Sequence, residues 1–182
     1  MRTSDADILI IPGLGGSGPD HWQSRWQAKL STARRVEQKN WDRPHLTDWR
    51  DAIATAIAEA ERPVILVAHS LGAVTAADVA AAFGDKIKGG FLVAPPSLRA
   101  IGEIAAIDPR FTEISHAALP FPSVLVASRD DPYATFAESE DFARTWGAEI
   151  ADAGNAGHIN AASGHGPWPE GLMRLASFLK TL

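Results

Sequence analysis

Three side chains spaced widely along the chain could together carry out acyl transfer: Ser70, an aspartate at 130 or 131, and His158. A serine hydroxyl is a weak nucleophile near neutral pH. It needs a base to take its proton, and that base needs a carboxylate to orient it and stabilise its charged form. Ser70 lies in VAHSLG (67–72), where a hydroxyl interrupts the apolar run PVILVA and an alanine-rich helical pattern follows. The surroundings read as G-x-S-x-G with Ala68 in place of the first glycine. Such a serine sits on a sharp strand-to-helix turn that lifts its hydroxyl clear of the sheet, so positions two before and two after must be small. Gly72 meets the stricter side, and Ala68 adds one methyl. The alternative is a serine that merely caps the following helix.

The partners give the pentapeptide its weight. In this arrangement they follow in the order serine, acid, histidine, each just past a strand. The strand-like PSVLVAS runs into Arg129-Asp130-Asp131-Pro132, and AEIADAG leads to Asn155-Ala156-Gly157-His158. Either Asp130 or Asp131 could be the acid, the other being a solvated turn residue. His158 follows Gly157, which lets the chain turn tightly. His165 competes from the same loop but lies farther from the strand. His69 adjoins the serine, yet along an extended strand its side chain points elsewhere, so it reads as a structural hydrogen-bonding histidine. His21, His45 and His116 have no evident partners.

An oxyanion formed on attack needs two N–H donors. One is the amide of Leu71, after the serine. The other is expected from the loop after an early strand, at Leu14 within Gly13-Leu14-Gly15-Gly16-Ser17-Gly18. That loop also matches G-x-G-x-x-G, with Glu37 near the place of a ribose-binding acid, so a dinucleotide site is a rival reading. The rival requires its third glycine inside the first turn of a helix. Here Gly18 precedes Pro19-Asp20, which reads as the helix start, and the rival leaves Ser70, Asp131 and His158 without a role. No Gly-Lys-Ser/Thr is present, so no nucleotide triphosphate loop is expected. Trp22 and Trp26, four apart on the helix after the loop, could line a substrate pocket or belong to the core. Trp168 poses the same choice.

These groups need a scaffold that delivers loops to one edge. ADILIIP, ARRVEQKN, RPVILVA, KGGFLVAPP, PSVLVAS and AEIADAG read as strands, ARRVEQKN being polar enough for a sheet edge. Runs apolar on both faces fit a parallel sheet covered by helices. Between them, Trp49, Ile53, Ile57 and Ala60 recur at helical spacing behind an expected cap at Thr47, and Val74, Ala77 and Ala81 form a small-residue stripe. A helix is expected from about Ala134 to Trp146, stopped by Gly147. A last one starts near Pro169 with Leu172, Leu175, Ala176 and Leu179 on one face. The alternation predicts a doubly wound α/β domain with a mostly parallel sheet. The stretch from Pro95 to Pro122 has no clear pattern, and a short helix around 101–106 or a small lid would fit there.

Composition narrows the function classes. The chain has 182 residues, enough for one domain with a sizeable core. A net charge of −5 without a basic face argues against nucleic acid. The absence of cysteine removes disulfides, thiolate metal sites and a cysteine nucleophile. The histidines lack metal-ligand spacing. No run approaches the roughly 18 apolar residues of a membrane span, and MRTSDADILIIPGLGG carries two aspartates before a short apolar run where a secretory signal needs a positive end and a longer apolar core, so a cytoplasmic protein is expected.

IPGLGGSGPDHWQSRW, VAHSLG, SRDDPY and AGHINAASGHGPWPEG together resemble the retinoblastoma-binding protein 9/YdeN group of small serine α/β-hydrolases, over nearly the whole chain. The resemblance implies a six-stranded parallel sheet with little or no cap, and it selects Asp131 and His158 as partners of Ser70. The expected activity is cofactor-independent ester hydrolysis on small or medium acyl groups. A hydrolase-like module that serves protein interaction is the alternative.

Overall fold

The computed structural model describes residues 1–114 and 117–182, so His116 lies outside the described residues. β1 (Asp7–Ile11), β2 (Ala33–Arg35), β3 (Val64–His69), β4 (Ile87–Val93), β5 (Ser123–Ala127) and β6 (Glu149–Asp152) form one all-parallel sheet. Its order is β2-β1-β3-β4-β5-β6. The polar strand β2 and the short, half-exposed β6 are the edges, while every residue of β3 and β5 is buried.

Because successive side chains of a strand point to opposite faces, the apolar runs feed two cores. Leu9, Ile11, Leu66, Ala68 and Leu92 pack on one face against α2 (Leu46–Ala58), α3 (Leu71–Ala80) and α5 (Phe136–Trp146). Ile8, Ile10, Ile65, Val67 and Phe91 pack on the other against α1 (Trp22–Gln27) and α6 (Pro169–Thr181). Helices on both faces make the sheet doubly wound. A third, smaller cluster joins Leu46, Trp49, Leu71 and Val74 to Ile101, Ile107 and Phe111. It holds the segment containing α4 (Leu98–Glu103) and a short 3-10 helix (Pro109–Glu113) over the starts of α2 and α3.

Several local expectations change. Thr47 is not the cap of α2. The helix begins two residues earlier than that cap implies, with His45 at the cap position, and its Leu46 amide is capped from afar by Asp108 Oδ2 at 3.1 Å. The helix expected at 101–106 is α4, started by Ser97, whose hydroxyl accepts from the Ala100 amide at 3.2 Å. The buried side of α6 is Gly171, Leu175, Phe178 and Leu179, so Leu172 and Ala176 face outward. α5 follows its signals closely: Thr135 and Glu138 form a capping box and Gly147 ends the helix at φ 67°. Among the described residues no helix is long and apolar enough to cross a membrane.

Candidate active site

The chain leaves β1 toward β2 on one side and returns past β1 to β3 on the other. Loops after β1 and β3 therefore diverge at the carboxyl edge, where doubly wound sheets open a crevice. The glycine loop follows β1 and Ser70 follows β3. Ser70 has φ 54° and ψ −131°, a conformation that costs a non-glycine residue roughly 1–3 kcal/mol. Its amide donates to the Val93 carbonyl at 2.9 Å, which ties the turn to β4. Two glycines make room for it. A Cβ on Gly72 would lie 2.3 Å from the Pro12 carbonyl oxygen, and one on Gly13 would lie 2.7 Å from Ser70 Cβ.

Ser70, His158 and Asp131 come together although they are far apart in sequence. Ser70 Oγ lies 2.8 Å from His158 Nε2, and His158 Nδ1 lies 3.0 Å from each Asp131 carboxylate oxygen. A carboxylate can only accept, so Nδ1 carries the proton and Nε2 is free to accept from the serine hydroxyl. The Asp131 carboxylate is nearly enclosed, with 3% of its side chain exposed, and it also accepts from the Tyr133 amide at 2.9 Å. The arrangement can pass the serine proton to the imidazole and hold the resulting imidazolium against a buried anion.

The adjacent aspartates differ in side-chain direction, and Asp131 is the one that faces the His158 ring. Asp130 turns away from the ring and accepts from Ser128 Oγ and the Gly157 amide, both at 2.8 Å. Those bonds hold its carboxyl below the usual range, the Ser128 hydroxyl contributing most. Asp130 is thus no idle turn residue: it fastens the loop that carries His158. His165 is engaged elsewhere, with Nδ1 3.1 Å from Ser163 Oγ and its ring against Trp168. His69 Nε2 lies 2.9 Å from the His158 carbonyl oxygen and ties the serine turn to the histidine loop.

A cavity of about 180 Å³ opens beside Ser70. Leu71, Ile104 and Ile107 form an apolar wall, while Ser17, His21 and Asn160 line a polar one. Leu14 stands on its rim, 39% exposed. Among the described residues nothing accepts a hydrogen bond from the Leu14 or Leu71 amides. Trp22 and Trp26 do not line this cavity, contrary to the pocket expectation. They are 0% and 2% exposed in the core between α1 and α6, where Trp26 stacks on Trp168 at 5.6 Å. Trp22 still serves the site from behind, because its indole N–H donates to the Ile159 carbonyl beside His158 at 2.9 Å. The dinucleotide reading fails on geometry: α1 starts at Trp22, four residues after Gly18, and is less than two turns long.

Sequence reasoning missed Tyr133, Asn160, His21 and Gln23. The Tyr133 ring stands edge-on to His158 with centroids 4.6 Å apart. His21 caps α1, its Nδ1 accepting from the Gln23 amide at 3.2 Å, and its ring sits 4.8 Å from that of His69. Its position just before an aromatic pair gave no signal of either contact.

Burial lowers both of these histidines. His21 falls to about 4, mainly by desolvation and then by the Arg35 guanidinium, and His69 lies well below the usual imidazole range for the same first reason. Both are neutral when folded and charge more readily when unfolded. The stability they contribute is therefore complete above pH 6.5 and is lost as pH falls toward 4. For His21 the loss across that window is roughly 3 kcal/mol. Calorimetry should show Tm dropping by roughly 5–10 °C between pH 7.5 and 4.5; a flat profile would contradict neutral burial.

A family model described as serine hydrolase matches residues 8–177. Among solved structures, a protein described as a YdeN-like hydrolase from Pectobacterium atrosepticum is 35% identical, covers 98% of this chain and 93% of its own, and superposes with a TM-score of 0.87. The ydeN gene product of Bacillus subtilis is 22% identical over 96% of this chain and 99% of its own, with a TM-score of 0.78. Est1E from Butyrivibrio proteoclasticus, solved with ferulic acid bound, shares the fold at 15% identity, covering 93% of this chain and 89% of its own with a TM-score of 0.69. No curated protein matches the chain. A family match that runs from the first strand into the last helix, joined by a 35% identical relative aligned over nearly all of both chains, means that the chain belongs to the serine hydrolase family, with the YdeN-like small hydrolases.

Proposed function

We propose that this serine hydrolase is a carboxylesterase acting on small or medium acyl esters. The observation that carries the proposal is the unbroken chain from Ser70 Oγ through His158 to Asp131, with every link between 2.8 and 3.0 Å. Ser70 attacks the ester carbonyl while His158 Nε2 takes its proton. Asp131 keeps the ring in the required tautomer and stabilises its charged form. The carbonyl oxygen, now anionic, accepts from the Leu14 and Leu71 amides. His158 returns the proton to the departing alcohol, leaving Ser70 acylated. Water, activated by the same histidine, then releases the acid. The cavity supports the size of the acyl group: about 180 Å³ with an apolar wall suits a short chain.

Intact-mass measurement after fluorophosphonate treatment tests the assignment. Wild type should gain one adduct at Ser70, Ser70→Ala none, and His158→Ala should label at least about 100 times more slowly, since the base is gone. A folded wild type that gains no adduct, or a Ser70→Ala variant that gains the same one, would end the proposal.

A further inference from the structure

We propose that Gln23 is a positioning residue that holds the oxyanion-binding loop in register with the serine turn. The inference rests on the mechanism just given. Gln23 is wholly buried, 0% exposed, on a helix of only six residues. All the hydrogen-bonding capacity of its amide nitrogen goes to main-chain carbonyls at the catalytic edge. Nε2 donates at 3.1 Å to Ile11, the last residue of β1, and at 3.1 Å to Val67 of β3, three residues before Ser70. Two carbonyls can only accept, which fixes the amide orientation. Oε1 then faces Ser17 and accepts from its hydroxyl at 2.7 Å.

Those three partners define the geometry that an oxyanion hole requires. Ile11 marks where the chain leaves the sheet to form the loop carrying Leu14, Val67 marks the approach to the serine turn, and Ser17 lies on the far limb of the loop. One rigid amide thus spans the two segments that supply the Leu14 and Leu71 N–H groups. Ser17 has φ 50°, a conformation that needs outside support in a residue with a Cβ. The loop's carbonyls are fastened separately: Arg35 donates to Gly16 and Ser17, and Ser24 Oγ donates to Ser17 at 2.6 Å. Among the described residues, the Gln23 side chain alone hydrogen-bonds to the loop and to both strands. Oxyanion donors act only when they meet the charge as it forms, so a small displacement of the loop lowers turnover while leaving ester binding nearly intact.

A double-mutant cycle on p-nitrophenyl butyrate hydrolysis tests this. Gln23→Met keeps most of the volume and removes all three bonds; Ser17→Ala removes only the loop link. Each should lower kcat about 10- to 100-fold with KM within about threefold. The inhibition constant of a short alkylboronic acid, which forms a tetrahedral adduct, should weaken in step with kcat/KM. The double variant should be no slower than Gln23→Met, because both changes cut one connection. Wild-type kcat in either folded variant would overturn the proposal. So would multiplying effects, which would mean that Ser17 acts directly on the substrate from its place on the cavity wall. If Gln23→Met does not fold, Gln23→Leu takes its place in the same cycle, and wild-type kcat and boronic acid affinity in Ser17→Ala would overturn the proposal in either case. Fluorophosphonate labelling of wild-type Ser70 tests the underlying mechanism separately, so labelling without any effect of Ser17→Ala would sink only the role of Gln23.

Discussion

Ester hydrolysis by Ser70→Ala should fall by about 10⁵- to 10⁶-fold, and by His158→Ala nearly as far. The double variant should be no slower than either single. The reason is geometric. In the proposed mechanism the 2.8 Å bond between Ser70 Oγ and His158 Nε2 makes the pair act as one unit. Without the hydroxyl the imidazole has nothing to deprotonate, and without the imidazole the hydroxyl stays a weak nucleophile. Asp131→Asn should cost less, roughly 10³- to 10⁴-fold, because it leaves both groups in place but favours the wrong tautomer. Asp130→Asn retains the Oδ1 acceptor used by Ser128 and Gly157, so its loss should stay below about tenfold. Steady-state kinetics with p-nitrophenyl esters on the five variants and wild type would settle the set. Effects that multiply between Ser70→Ala and His158→Ala, or a larger loss in Asp130→Asn than in Asp131→Asn, would contradict the assignment.

The order Ser70, Asp130-Asp131, His158 was legible because each part rests on a local rule. A hydrophobic run marks a strand, and the residue just past it reaches the carboxyl edge of a parallel sheet. β2 as an edge was legible for the same reason, since a half-polar run does not suit the centre of such a sheet. Which aspartate meets the ring was not legible from those rules. Two adjacent turn residues point in different directions, and the direction depends on Gly157 and Ser128 being present to receive Asp130. Long-range polar contacts were hidden altogether. Gln23 bonds across 44 positions to Val67, and Asp108 caps a helix that starts 62 residues earlier. Neither leaves a periodic trace. Trp22 and Trp26 fitted the core more readily than a pocket but could not be assigned, because periodicity shows that a helix has an apolar face but not what covers that face. Here α6 and Trp168 cover it.

Substituting either of the small residues two positions from Ser70 should cost stability, but only the change at Gly72 should cost turnover. A Cβ added at Gly72 meets main chain: it would lie 2.3 Å from the Pro12 carbonyl oxygen and 2.6 Å from that of Ile11. No side-chain rotation relieves contacts with backbone, so α3 and the exit of β1 must separate. Overpacking of this kind costs about 1–3 kcal/mol or more. The displaced segment leads straight into Gly13 and Leu14, so Gly72→Ala should also lower kcat by roughly 100-fold. Ala68 lies on β3, wholly buried, in the core cluster that also holds residues of α2 and α3. Ala68→Gly restores the more common motif residue, yet it removes a packed methyl and loosens a strand, at a cost of about 1–2 kcal/mol. Its kcat should stay within about threefold of wild type, since the turn itself is untouched. Melting curves and ester kinetics on both variants would distinguish these fates. A stabilised or fully active Gly72→Ala would show that the turn and β1 are not pressed together, whereas a large loss of turnover in Ala68→Gly would show that the methyl shapes the serine turn and not only the core behind it.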